Sequence, residues 1–319
     1  MIGLSGNYFS KTILAYYTLA LATLFSAYVS LPYAFVPMFT SLLLLIPIYL
    51  WYDGYQEKEK LSEEVNGRDK RTVLQWVFTL FILALSVRVP SALLFGQPYE
   101  KTAVIFLIIS TIAAIEKTNI SAFGFRIENI EKSLLYGFAF FAVFGGVLVL
   151  SSSLLVLTFT NQMLISSYSI AIFLSAMPFQ TLCVGISEEG LFRGYMQTHL
   201  RKFYTVGMAI FIQAAFFGVW HFVWNIYPFN LIGMSQYVAT TFLIGLLFGY
   251  FYSKSKNLVP LIFAHGLYNS FLEGVIENGA VSNALQKLPV ASQILIATLP
   301  YAISAMAMFL FIKYLVKEI

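Results

Sequence analysis

Long apolar runs, separated by short polar or charged stretches, make up most of this chain. Many of the runs reach the roughly 20 residues that an α-helix needs to cross a bilayer. They are continuously apolar, whereas the strands of a membrane barrel alternate, and in lipid such a run can satisfy its backbone groups only as a helix. The pattern therefore predicts an all-α fold, a polytopic integral membrane bundle of about eight to ten transmembrane helices. The candidate spans lie at residues 12–31, 33–52, 72–91, 102–116, 134–158, 167–187, 205–226, 236–253, 259–277 and 291–312.

The composition agrees with a chain that lies mostly in lipid. Hydrophobic residues make up 59% of the sequence and charged residues 11%, whereas a soluble domain carries about 25% charged residues. The mean hydropathy is +0.78. The net charge of +4 gives no indication of a nucleic-acid partner on so apolar a chain. The single cysteine, Cys183, excludes an internal disulfide framework and a metal site built from several cysteines.

The positions of Lys and Arg predict the orientation of the chain. Segment 53–71 holds eleven charged residues and is interpreted as a solvated cytoplasmic loop. With the amino terminus inside, the cytoplasmic side collects sixteen of the 19 Lys and Arg residues, and the opposite side receives Arg88, Lys101 and Lys287. Because positive charge is enriched in cytoplasmic loops, a multi-pass protein of the cell membrane with both termini in the cytoplasm is expected.

Polar residues within the apolar runs carry the candidate chemistry, because ionisable groups inside a membrane span are costly and mark function by default. They form three clusters. Ser187–Gly194 contains two glutamates and an arginine, Phe217–His221 ends on a histidine, and His265–Asn269 begins with one. The remaining histidine, His199, stands next to two basic residues and is interpreted as an interfacial residue.

The spacing within the clusters brings residues together, since residues four apart share one face of a helix. The pairs at this spacing are Glu189 with Arg193, Phe217 with His221, and His265 with Asn269. Arg193 is expected to neutralise Glu189. Glu188 lies on a different face of the helix and has no cation four residues after it. Taken singly, the ion pair could serve to orient a helix, each histidine could bond between helices, and Phe217 could simply pack.

Together the three clusters resemble the motifs of the CPBP family, Glu-Glu-x-x-x-Arg, Phe-x-x-x-His and His-x-x-x-Asn. That family includes the type II CAAX prenyl proteases (Ras-converting enzymes) and bacterial membrane proteins of bacteriocin processing and immunity. The resemblance covers about residues 120–277, and every motif position is filled. It implies a glutamate-dependent intramembrane endopeptidase with no cofactor and no obligatory metal. The implied substrates are peptides or proteins at the membrane, lipidated or not, in CAAX-type or bacteriocin leader-type processing.

The resemblance also suggests a division of the chain into three parts. The N-terminal transmembrane helices occupy residues 1–116, the protease core residues 120–277, and a C-terminal transmembrane helix lies within residues 278–319. The stretch 121–132 is predicted as an interfacial helix that leads into the next span.

Peptide hydrolysis needs an activated water and a stabilised oxyanion, and the motif residues can supply both. A carboxylate in a low-dielectric site is a suitable general base, so Glu188, helped by His221, is assigned to the water. His265 and Asn269 are assigned as hydrogen-bond donors to the oxyanion of the tetrahedral intermediate.

The remaining motif residues, Glu189, Arg193 and Phe217, are assigned supporting roles. Arginine keeps its charge in proteins, so Arg193 requires a partner in lipid and is expected to hold Glu189 ionised. For Glu188 to act within the membrane, its helix must be one long element that continues toward Leu200.

Three rival functions remain open. A zinc protease could use Glu188, Glu189, His221 and His265 as ligands, but the chain has no His-Glu-x-x-His sequence and Arg193 would add an unwelcome positive charge. A transporter could use the same groups as a proton relay, although no internal repeat supports one. A non-catalytic scaffold or immunity protein could keep the motifs for structure.

Overall fold

The computed structural model describes residues 6–29, 69–96, 99–165, 167–276 and 279–319. Every regular element in these ranges is a helix, as expected for a chain of apolar runs. The predicted span 33–52 and most of the predicted charged loop lie outside the described residues.

The described helices overlap the predicted spans of the same regions, and the helix predicted at 167–187 continues to Leu200. In chain order they are α1 (Gly6–Val29), α2 (Lys70–Phe95), α3 (Lys101–Ser110), α4 (Ile130–Thr160), α5 (Ile170–Leu200), α6 (Val206–Trp220), α7 (Leu231–Ser255), α8 (Val259–Ile276), α9 (Gly279–Gln286) and α10 (Val290–Leu315). The short helix α9 is the one element among them that the apolar pattern does not predict, because it is too short and polar to form a span.

Six of the described helical segments are long and apolar enough to cross a membrane: α2, α4, α5, α7, α10 and the segment Val206–Asn225, which contains α6. The chain is therefore a polytopic α-helical membrane protein, as the hydropathy pattern predicts. The total of about eight to ten spans stays a prediction, since part of the chain is not described.

The predicted interfacial helix at 121–132 is wrong. A short 3₁₀ turn, Ile120–Phe123, is closed by Gly124 at φ 88°, and α4 begins only at Ile130, after Asn129 at φ 57°. Two left-handed backbone positions in this stretch prevent a continuous helix, because such a residue ends the regular hydrogen-bond pattern.

The start of α2 is fixed by a side-chain cap. The backbone N–H of Thr72 donates to Oδ1 of Asp69 at 2.7 Å, which satisfies one of the amide groups that a helix leaves unpaired at its first turn. That hydrogen bond favours the charged carboxylate and holds the pKa of Asp69 below its ordinary value.

One compact unit combines the described residues of Met1–Arg126 with Ile186–Gly249. Its core is largely aromatic. The ring of Phe192 on α5 packs edge-on against Phe81 of α2 at 6.3 Å and against Trp220 of α6 at 5.7 Å between centroids. Edge-to-face packing of this kind buries large apolar area in a specific geometry, and here it fixes the second half of α5.

A second unit combines the described residues of Ile127–Gly185 with Tyr250–Ile319. Within it α8 approaches its neighbours closely at glycine positions. A Cβ atom at Gly266 would lie 2.1 Å from Oγ1 of Thr181, and one at Gly137 would lie 2.6 Å from a carbonyl oxygen of α8. Small residues at helix contacts are typical of membrane bundles, because packing drives helix association in lipid.

Candidate active site

The two motif glutamates lie near the middle of the long helix α5. The helix continues to Leu200, which confirms the predicted single long element. Glu188 is 3% exposed and Glu189 is fully buried. They end an α-helical turn, Ile186–Glu189, after which the helix follows a π-helical path through Gly190–Gln197. Such π-helical segments often occur at functional sites.

Glu188 binds cations from other helices. The Nζ atom of Lys101, the first residue of α3, donates to Oε1 of Glu188, and the indole Nε1 of Trp220 donates to the same oxygen at 2.9 Å. A guanidinium nitrogen of Arg88 lies 3.9 Å from it. The sequence places no cation four residues after Glu188, and spacing along one helix does not reveal these partners. The cations come from the other helices α2 and α3.

A second carboxylate, Glu100, completes the charged cluster. Its Oε1 accepts a hydrogen bond from Arg88 at 2.7 Å and lies 3.4 Å from the ammonium of Lys101. Arg88 also donates through Nε to the backbone carbonyl of Trp220 at 2.9 Å, and its guanidinium stacks 4.2 Å from the centre of that indole ring. The cluster has four charged side chains, Arg88, Glu100, Lys101 and Glu188, and each is at most 3% exposed. Two carboxylates thus balance two cations in a buried position.

His221 follows the last residue of α6 as its C-cap and faces Glu188. Its Nδ1 lies 2.7 Å from the carbonyl oxygen of Phe217, and its Nε2 lies 3.8 Å from Oε2 of Glu188. A carbonyl oxygen can only accept, so Nδ1 carries the hydrogen. In the neutral imidazole Nε2 is then an acceptor, directed toward the carboxylate oxygen that is not shared by Lys101 and Trp220.

The predicted ion pair between Glu189 and Arg193 is confirmed. A guanidinium nitrogen lies 3.1 Å from Oε1 of Glu189, and both side chains are fully buried. The guanidinium also lies 4.1 Å from the ring centre of Phe217 and 5.1 Å from that of Phe248. Phe217 therefore has two functions here, since its ring covers Arg193 and its carbonyl orients His221.

His265 and Asn269 belong to the second unit and lie one turn apart on α8. His265 is 4% exposed. The side-chain amide of Asn269 donates to Oε1 of Gln180 at 3.1 Å, and the amide of Gln180 donates in turn to Glu273. Both residues stay candidates for the oxyanion role on the strength of the motif.

His199 is enclosed by protein, and its position at the membrane interface stays a prediction. It is 2% exposed, and its Nε2 lies 3.1 Å from each carboxylate oxygen of Glu116. The hydroxyl of Tyr195 donates to the same carboxylate at 2.5 Å. The aromatic ring of Phe123 lies 5.3 Å from the imidazole. Because α5 remains buried to its end at Leu200, a histidine near that end meets protein rather than headgroups.

Arg88, Glu100, Lys101 and Trp220 are the site residues that the motifs do not reveal. A signal for one of them was present in the sequence. Arg88 falls inside the predicted span 72–91, where the cost of an ionisable side chain marks function by default. Glu100 and Lys101 stand at the edge of a span, where charged residues are ordinary.

Candidate metal ligands do not cluster in the part of the chain that the structure describes. No group of three or more His, Cys, Asp or Glu side chains there has the arrangement to hold a metal ion. Around Glu188 the closest charged neighbours are instead cations.

Comparison with protein families gives a match for part of the chain. Residues 170–271 match the family described as type II CAAX prenyl endopeptidase, Rce1-like. This part of the chain resembles an Rce1-like endopeptidase domain. This confirms the family resemblance and the prediction of a membrane protease. No curated protein and no solved structure gives a significant match to the chain.

The Rce1-like match contains all three motifs. It spans Glu188, Glu189, Arg193, Phe217, His221, His265 and Asn269. The match begins at residue 170 and therefore does not include Arg88, Glu100 or Lys101. The cations next to Glu188 thus come from a part of the chain outside the Rce1-like match.

Proposed function

We propose that this membrane endopeptidase hydrolyses peptide bonds through a water that Glu188 and His221 activate, without a metal. The observation that carries the proposal is the pairing of Oε2 of Glu188 with Nε2 of His221, 3.8 Å apart and buried. One water can bridge such a gap with two hydrogen bonds of ordinary length, about 2.8 Å each. Oε2 and Nε2 both accept hydrogen bonds, so the water donates one hydrogen to each of them. A lone pair of the water oxygen is then directed toward the substrate.

The proposed reaction follows from this arrangement. The water oxygen attacks the scissile carbonyl carbon while Glu188 takes a water proton as general base. The proton then passes to the leaving amine as the carbon–nitrogen bond breaks, which returns Glu188 to its ionised form. His265 and Asn269 are proposed, from the motif alone, to donate hydrogen bonds to the oxyanion formed in between.

The proposed substrates are peptides at the membrane, of the CAAX type or of the bacteriocin leader type. The family match supports the CAAX type, because the matched family is described as CAAX prenyl endopeptidases. Two fluorogenic probes distinguish the classes: a farnesylated CAAX peptide and a leader peptide without a lipid. Cleavage of the farnesylated probe together with failure of its non-farnesylated counterpart would assign the substrate to the prenylated class.

The test of the mechanism compares the wild-type protein in detergent with Glu188→Gln and His221→Ala. Loss of a general base typically lowers turnover by about 10²–10⁴-fold, and we expect a loss in that range for each variant. Glu128→Gln is the matched control, because that glutamate is exposed and remote in sequence from the motifs. Full activity of Glu188→Gln would refute the mechanism.

The cell membrane, with both termini in the cytoplasm, is proposed as the location. The support is the excess of Lys and Arg on one side of the predicted spans. A single cysteine introduced by Ser62→Cys into a Cys183→Ala background should resist an impermeant maleimide added to intact cells. Efficient labelling from outside would reverse the orientation.

A further inference from the structure

We propose that Lys101 is a positioning residue of the protease reaction: it holds one oxygen of Glu188 and thereby directs the other to His221. The inference rests on the proposed function of Glu188 as the general base. It also assigns a role to the N-terminal helices, because α3 begins with Lys101 and lies outside the region that matches the protease family.

The two oxygens of the Glu188 carboxylate have different surroundings. Oε1 accepts from Lys101 and from the indole of Trp220, and these two donors fix the rotation of the carboxylate group. Oε2 lies on the side of His221. A carboxylate that could rotate would offer its oxygens to the water in many orientations, and loss of alignment at a reacting group is costly in rate.

Lys101 is itself held by Glu100 at 3.4 Å, and Glu100 also binds Arg88. Arg88 in turn donates to the carbonyl of Trp220, the residue directly before His221. The chain of contacts therefore reaches both members of the proposed water site: Lys101 acts on Glu188, and Arg88 acts on the backbone next to His221.

The charge balance of the cluster depends on a cation at position 101. The cluster contains two carboxylates and two cations, all buried. If Lys101 were neutral, Oε1 of Glu188 would lose one of its two donors, and the carboxylate could rotate away from His221. A rotated carboxylate is poorly aligned with the water, so the loss of Lys101 should lower turnover even in a folded protein.

The experiment measures kcat and KM for Lys101→Met and Lys101→Arg, using the folded fraction of each full-length variant and the farnesylated CAAX probe. A misplaced base should lower kcat about tenfold to a hundredfold for Lys101→Met, with KM within about threefold of wild type. Lys101→Arg keeps the charge and should recover at least part of the loss. Lys11→Met is the matched control, because Lys11 is exposed on α1 in the same unit.

Three outcomes would overturn the proposal. Wild-type kcat in Lys101→Met would show that Glu188 needs no such partner, and a rise confined to KM would place Lys101 in substrate binding. If kcat of Lys101→Arg is no higher than that of Lys101→Met, the positive charge at position 101 is not what supports the reaction. These outcomes are distinct from a failure of the proposed function, which would be shown by full activity of Glu188→Gln.

A stability measurement keeps the proposal testable if the variants fold poorly or no probe is cleaved. In a double-mutant cycle, Lys101→Met should lower the unfolding temperature less in a Glu188→Gln background than in the wild type, because the pair is already broken there. An equal decrease in both backgrounds would show that Lys101 and Glu188 are not coupled.

Discussion

Arg193 lies one helical turn after Glu189, and its guanidinium contacts that carboxylate at 3.1 Å with both side chains fully buried. Aromatic rings of Phe217 and Phe248 cover the guanidinium at 4.1 and 5.1 Å. The arginine is thus held by one carboxylate and two ring faces. Its position ties α5 to α6 and α7 next to the proposed water site.

Glu189→Gln should destabilise the protein strongly, since it leaves Arg193 with a weaker partner. Breaking one side of a buried ion pair costs about 3–5 kcal/mol, and this should appear as a lower midpoint of chemical unfolding in detergent. Some protease activity should remain, because Glu189 is assigned to support. A folded but inactive Glu189→Gln, together with an active Glu188→Gln, would exchange the roles of the two glutamates.

The double variant Glu189→Gln with Arg193→Met provides the control for that prediction. Removing both charges should restore part of the lost stability, because an unpaired buried charge is the main source of the cost. If the double variant is less stable than Glu189→Gln alone, the arginine contributes mainly through its contact with the rings rather than through its charge.

The buried pair of His199 and Glu116 leads to a second prediction. His199→Leu removes a hydrogen-bond partner of a buried carboxylate and should lower the free energy of unfolding by about 1–3 kcal/mol. The same substitution in a Glu116→Gln background should lower the free energy of unfolding by less, since a buried neutral amide loses less without its partner than a buried carboxylate does. Equal costs in both backgrounds would show that His199 stabilises the fold by packing alone.

Glu189 and Arg193 could be paired from the sequence because four residues on one helix define their distance. The partners of Glu188 could not be predicted in this way, since Trp220 is 32 residues away and Lys101 is 87 residues away. No local spacing encodes contacts of that kind, which depend on how separate helices pack. The apolar runs likewise predict where helices lie, because lipid imposes helical structure, but not which helix faces meet.

His199 shows a second limit of the sequence pattern. Its basic neighbours indicate the membrane interface but do not show that the side chain is enclosed by protein. The helix remains buried to Leu200, with the less apolar Gly190–Gln197 segment also enclosed. Hydropathy reports average exposure to lipid, so a polar segment enclosed by other helices resembles a loop in the pattern.

Gly266 gives a prediction about packing within the second unit. Gly266→Ala should lower yield and unfolding temperature, because a Cβ there would lie 2.1 Å from Oγ1 and 2.5 Å from Cα of Thr181. The backbone atom cannot move aside as a side-chain end can, so the two helices must separate. Gly146→Ala is the matched control in the same unit, where nothing lies within 4 Å of the added Cβ. Equal stability of both variants would contradict the packing.

The proposal of a reaction without a metal is tested by chelation. Prolonged treatment with EDTA and phenanthroline should leave the turnover of the farnesylated probe unchanged, because Lys101 and Arg88 already supply positive charge next to Glu188. Loss of activity that added Zn²⁺ restores would instead favour the zinc protease, with the motif glutamates and histidines as its ligands.

Asn269 gives the last prediction, which concerns the oxyanion. Its amide nitrogen donates one hydrogen to Oε1 of Gln180, and this contact fixes the orientation of the amide group while leaving a second N–H hydrogen. If that hydrogen serves the oxyanion, Asn269→Ala should lower kcat by about 10²–10³-fold with little change in KM or in yield.

Gln180→Met should lower kcat by less, because Asn269 remains present but loses the group that orients it. The comparison separates two roles for Asn269. A donor to the oxyanion is felt in the transition state and affects kcat, whereas a residue that recognises the substrate affects KM. A loss confined to KM in Asn269→Ala would assign it to substrate recognition, and a Gln180→Met variant as impaired as Asn269→Ala would place the decisive group at Gln180.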